Sequence, residues 1–121
     1  MKWIFLGAVF GFISVGAGAF GAHALAQSLS EKSLAIWKTA AEYQMYHALA
    51  LVALGASAMN AGWAGAAFTL GILIFSGSLY TLALTDMKWL GAITPIGGVF
   101  FLIGWGAWAW NAWKTMSTAA Q

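Results

Sequence analysis

The sequence predicts an all-α integral membrane protein: a bundle of four transmembrane helices in one domain, residues 1–121, with an interfacial helix between the first two spans. Three observations predict it. Hydrophobic residues make up 62% of the chain and charged residues only 7%, against roughly 25% charged in a soluble domain, so lipid has to be the outer solvent. Apolar runs of about 20 residues, the length that crosses a hydrocarbon core of about 30 Å, recur at approximately 3–22, 40–59, 63–84 and 89–110. Trp3, Trp37, Trp63 and Trp89 mark the start of each crossing, and Trp110 and Trp113 close the last. Four crossings then set these rings alternately at the two membrane faces, as an aromatic belt requires.

In the first run, Gly7, Gly11, Ser14, Gly18 and Gly21 are spaced 4, 3, 4 and 3 residues apart and fall on one seam of a helix. Small residues on one stripe let a second helix approach closely, which predicts a buried helix contact. A secretory signal peptide is the rival reading, because Lys2 precedes the run and Ala22-His23-Ala24 has the form of a cleavage site. Its apolar region usually covers about 7 to 15 residues, and this run is longer. Ser28, with Glu31 three residues on, has the form of a capping box and predicts a helix start near Leu29. The weakly apolar face of Leu29, Ser33, Ile36 and Trp37 suits an interfacial helix over about 29–39. That helix either bends into the membrane or continues straight into the second span.

Asn60-Ala61-Gly62 reads as a tight turn, which makes the second and third spans antiparallel neighbours. In the third span, Ser76 and Ser78 put hydroxyls mid-membrane, where they bond to their own helix or across to another. Thr85-Asp86-Met87-Lys88 is the next turn. In the fourth span, Pro95 removes a backbone donor and is expected to kink the helix, with Gly97 and Gly98 leaving room for a neighbour. Both termini lie on one side. Lys2 and Lys114 then face Lys32, Lys38 and Lys88 across the membrane, a near tie under the positive-inside rule that leaves the orientation open.

Composition also excludes functions. The chain has no cysteine, hence no disulfide framework and no thiolate metal site. Its basic residues are scattered lysines without one arginine, which argues against nucleic-acid recognition. No nucleophile elbow, dinucleotide loop, P-loop or paired-carboxylate pattern is present, so neither an enzyme nor a cofactor is expected.

Nearly all the polar chemistry lies in Trp37–Leu51, reading WKTAAEYQMYHALAL. On a helix of about 3.6 residues per turn, Lys38, Glu42 and Tyr46 form one row, with Thr39, Tyr43 and His47 beside it. If the span opens at Trp37, His47 lies about 15 Å down the helix, where an ionisable group marks a binding site or pathway. If it opens at Tyr43, Glu42 rises to the headgroups, the tyrosines join the belt, and His47 is a neutral group bonded to a neighbouring helix. His23 ends the first span on the same side. The polar cluster is thus His23, Glu42, Tyr43 and His47, better suited to proton handling than to holding a metal, since it lacks close ligand spacing.

Four blocks together resemble the YgdD-like family of small four-helix membrane proteins, a domain-of-unknown-function family. They are Gly18–Leu25 (GAFGAHAL), Thr39–Gln44 (TAAEYQ) with His47–Leu51 (HALAL), Phe75–Tyr80 (FSGSLY), and Ile93–Gly98 (ITPIGG) followed by Gly104-Trp105. The resemblance implies a multi-pass protein of the bacterial inner membrane and brings no biochemical activity with it. Two functions follow from the residues. One is a structural or accessory protein that binds lipid or another membrane protein, with a homo-oligomer expected from its small-residue seams. The other is an oligomeric small-solute or proton-coupled transporter or channel using the polar cluster.

Overall fold

The computed structural model describes residues 1–57, 59 and 62–119, and all its regular structure is helical. Helix α1 (Lys2–Phe20) runs into a π-helical turn, Gly21–Leu25. Helix α2 is Glu31–Ala56. Helices α3 (Gly62–Gly71) and α4 (Gly77–Thr85) are joined by a second π-helical turn, Ile72–Ser76, into one rod. A 3-10 turn, Lys88–Ala92, leads into α5 (Thr94–Ala119). Among the described residues, three rods are long and apolar enough to cross a membrane: Lys2–Leu25, Gly62–Thr85 and Lys88–Ala119. The sequence predicts four. Helix α2 falls outside the set because Glu31, Lys32 and Lys38 charge its first turns and Glu42, Gln44 and His47, with Tyr43 and Tyr46, lower the hydropathy of the rest.

Helix α2 nevertheless holds the bundle together, with α1 along one flank and the α3/α4 rod along another, while α5 packs mainly on α3 and the second π turn. Its residues Ala40, Leu51 and Leu54 are almost fully buried. Leu51 and Leu54 meet Ala64, Phe68, Ile72 and Phe101 in the main core, with Trp3, Phe10 and Trp108 closing its edge. A second core joins Leu25, Trp37 and Ala83, with Tyr80 against them. Small residues set the α1–α2 spacing. A Cβ on Gly7 would stand 2.6 Å from the Ala48 carbonyl oxygen, and one on Gly21 would stand 2.6 Å from the Trp37 ring. Gly11 is in ordinary contact, its Cβ position 4.0 Å from Ala48, and Gly18 faces open space.

The structure corrects two expectations and decides a third. Of the two courses open to residues 29–39, they continue straight: from Glu31 onward they are the first turns of α2, because no proline or turn residue interrupts the chain before Gly55. The cap is Ser30, not Ser28. Ser30 is extended, and its hydroxyl accepts from the Ser33 amide at 3.1 Å, whereas the Ser28 amide is used in the preceding turn to Leu25. Pro95 opens a helix instead of kinking one, since in the first turn of α5 its missing N–H has no intrahelical partner to lose. Helix α5 continues past Trp110, the end of the expected crossing, to Ala119. The turn expected at Asn60-Ala61 lies outside the described residues. The chain leaves α4 through Asp86, in the left-handed region at φ 56°, a conformation aspartate tolerates better than most residues. Replacing Ser30 with alanine is expected to lower stability by about 1 kcal/mol, measurable as an earlier unfolding transition in detergent, while Ser28→Ala changes little.

Candidate functional site

Of the expected cluster, only His47 and Tyr43 come together. His23 is exposed in the first π turn, and Glu42 is exposed on the α1–α2 side. Among the described residues no three His, Asp or Glu side chains are placed to hold a metal ion.

His47 is 5% exposed and sits in an aromatic cage. Its ring stacks on Phe101 with centroids 3.5 Å apart and planes 7° apart, and Phe68 and Trp105 cover it at 5.6 and 5.9 Å. Both ring nitrogens are engaged: the Trp105 indole N–H donates to Nε2 at 3.1 Å, and Nδ1 lies 2.7 Å from the Tyr43 carbonyl oxygen. An indole nitrogen only donates and a carbonyl only accepts. Nε2 therefore offers its lone pair and Nδ1 carries the proton, which makes the ring a neutral imidazole. Tyr43, one helical turn earlier, is 39% exposed and stacks on Phe75 at 4.8 Å.

The residue that sequence reasoning missed is Gln44, 3% exposed. Its amide nitrogen donates to the Phe10 carbonyl at 2.8 Å, and its amide oxygen accepts from the Tyr80 hydroxyl at 2.8 Å. One side chain thus ties α2 to α1 and to α4. The signal was present: Gln44 lies on the stripe of Trp37, Ala40, Ala41, Ala48 and Leu51, all of which are buried, and a polar group on such a stripe bonds another helix.

Other hydroxyls and an indole repeat the pattern where α2 meets α1 and the second π turn. Ser14 donates to the Ala41 carbonyl at 2.6 Å, Trp37 Nε1 to the Ala17 carbonyl at 2.8 Å, and Ser76 to the Ala40 carbonyl at 2.8 Å. Ser78 pairs with Thr94 at 2.6 Å and also reaches back to the Phe75 carbonyl, fastening α4 to the start of α5. Around Pro95, Gly97 is buried with the Phe75 backbone where its Cβ would stand, and Gly98 is in ordinary contact with the Phe75 ring. Among the described residues no buried side-chain nitrogen or oxygen lacks a partner.

The bonds also set levels. Ser14 lies near the middle of the Lys2–Leu25 rod, and its bond to Ala41 places Glu42 at that level. Beside them a groove of about 480 Å³ opens between α1 and α2, lined by Gly18, Trp37, Lys38, Glu42 and Met45 among others.

Comparison with known proteins gives a family. Residues 17–98 match the family described as "Protein of unknown function (DUF423)". A Staphylococcus epidermidis protein named "UPF0382 membrane protein" is 53% identical over 107 residues, covering 85% of this chain and 88% of its own. Proteins bearing the same family name from Staphylococcus haemolyticus and from a bovine strain of Staphylococcus aureus are each 51% identical, over 85% of this chain and 88% of their own. No solved structure gives a significant match. With identity above one half to the first of these relatives and a family match across most of its length, this chain belongs to the DUF423 family, whose staphylococcal members are named membrane proteins.

Proposed function

We propose that the protein is a single membrane domain crossing the bacterial inner membrane four times, with both termini on one side. In this reading it serves a structural or accessory role, presenting its outer surface to lipid, to a second copy or to another membrane protein. Helix α2 is the fourth crossing. It is 26 residues long, about 39 Å at 1.5 Å per residue, and its polar residues are offset by burial between α1 and the α3/α4 rod. Helix α2 enters the membrane through its first turns, opposite the end of the first rod, since Trp37 already bonds Ala17. No catalytic role is assigned to any residue.

The observation that carries the reading is the full engagement of the buried polar groups. Gln44, His47, Ser14 and Ser76 each bond a different helix or a backbone carbonyl on one. That is what helix registration in a bilayer needs, and it leaves His47 no free nitrogen for a solute or a proton relay. The chain's lack of cysteine makes the test direct. In His47→Cys, an impermeant thiol reagent applied from either side of sealed vesicles is expected to leave position 47 unmodified. Rapid labelling would show water at the cage and favour the transport reading. Crosslinking in native membranes is expected to capture a homo-oligomer, and recovery of monomer alone would remove the second copy from the proposal.

A further inference from the structure

The groove between α1 and α2 carries an inference separate from the pinned core, though it rests on the four-span reading. Glu42 and Lys38 are one helical turn apart, both exposed and both lining this groove. Ser14 bonds the residue before Glu42 from the middle of the first rod, so Glu42 belongs to the depth of the acyl chains. An ionisable group at that depth faces a bundle interior or a water-filled cavity, and Glu42 does not face the bundle interior. Helical side chains slant toward the helix N-terminus. For α2 that is the end carrying Glu31, the end where the π turn after α1 and Asp86 after α4 also lie. Lys38 lies one turn nearer that end and has a stem long enough to reach the headgroups, so Glu42 is the innermost charge of the groove. The groove is also roomy where a helix contact would be tight: a Cβ on Gly18 would meet nothing within 4 Å.

We propose that this groove is an aqueous vestibule, open at the membrane face that carries Ala26 and Asp86, which admits small cations to the Glu42 carboxylate. The apolar walls that α1 and α2 give the groove focus the field of that carboxylate along it. Met45, one turn inward of Ala41, marks the inner end.

The test uses single cysteines in the full-length protein in sealed vesicles. Met45→Cys and Gly18→Cys are expected to react with an impermeant methanethiosulfonate from one side only, the side that labels Ala26→Cys. Leu102→Cys, beside the Phe101 that stacks on His47 and 72% exposed to the outside of the bundle, is expected to stay unlabelled as a lipid-facing position of similar depth. At Met45→Cys a cationic reagent is expected to outpace an anionic one, and adding Glu42→Gln is expected to lower that ratio by about tenfold. Failure of both groove positions to react while Ala26→Cys does would mean the groove is filled by lipid and would overturn the vestibule. Reaction with a ratio indifferent to Glu42→Gln would overturn the cation site. Labelling of Leu102→Cys as fast as Met45→Cys would instead contradict the four-span placement itself.

Discussion

Gly97→Val is expected to abolish the folded protein, with a loss of about 3 kcal/mol or more. A Cβ at this position runs into the backbone of Phe75, whose Cα stands 2.7 Å away, and Phe75 belongs to the π turn between α3 and α4. A backbone atom cannot swing aside as a side-chain tip can, so α5 would have to withdraw from the turn. Withdrawal breaks the Ser78–Thr94 bond and uncovers the face on which His47 stacks. Two neighbours on the same helix provide the contrast. Gly98→Ala makes an ordinary contact with the Phe75 ring, and a Cβ on Gly106 meets nothing within 4 Å. Both replacements are expected to be neutral or to stabilise slightly, because alanine is the better helix former by up to about 1 kcal/mol. Titrating helix content with SDS from a mild detergent reads all three. Equal stability of Gly97→Val and Gly106→Ala would mean that α5 does not dock as described.

The second large effect is expected at Gln44. Gln44→Leu keeps the volume of a core side chain but removes both bonds of the residue that links three helices, and it leaves the Tyr80 hydroxyl partly buried without its acceptor. Stability is expected to fall by about 1–3 kcal/mol. Part of the loss returns when Tyr80→Phe is added, because the orphaned hydroxyl is then gone. The coupling in a double-mutant cycle is expected at about 0.6–1.7 kcal/mol, the range for hydrogen bonds between membrane helices. Strictly additive losses would show that the two side chains do not bond.

Much of this was legible before the fold. The first helix and the rods Gly62–Thr85 and Lys88–Ala119 are readable from long apolar runs, and Gly7, Ser14 and Gly21 from their spacing, because lipid permits few alternatives to a helix. The sequence predicts a kink at Pro95 because the apolar run before it does not show that the chain has already ended one turn, at Ala92, and starts another helix at Thr94. Ser28 and Ser30 compete for one cap, and only the backbone angles at Ser30 decide between them. The two π turns carry no signal that periodicity detects, yet the second places Phe75 against Gly97 and presents Ser76 to α2.

The polar stretch of α2 was visible as a stretch but not as a set of directions. His23, Glu42, Tyr43 and His47 share a composition, whereas burial depends on which neighbours surround the helix. Glu42 faces out beside Lys38, and His47 faces in toward Phe101 and Trp105. Gln44 is invisible to a search for charge because an amide carries none, although it occupies the buried stripe.

The claim at the centre of this account is that polar side chains inside the bundle are consumed in bonds between helices, and His47 tests it most directly. Only two histidines are present, His23 and His47, so nitrogen-15 NMR of histidine-labelled protein in lipid resolves the ring without crowding. A neutral imidazole with the proton on Nδ1 and an unprotonated Nε2 is the predicted result, with the Nε2 signal shifting in Trp105→Phe. A proton on Nε2, or an imidazolium that titrates freely with the solvent, would contradict the caged histidine and return His47 to the list of groups open to water.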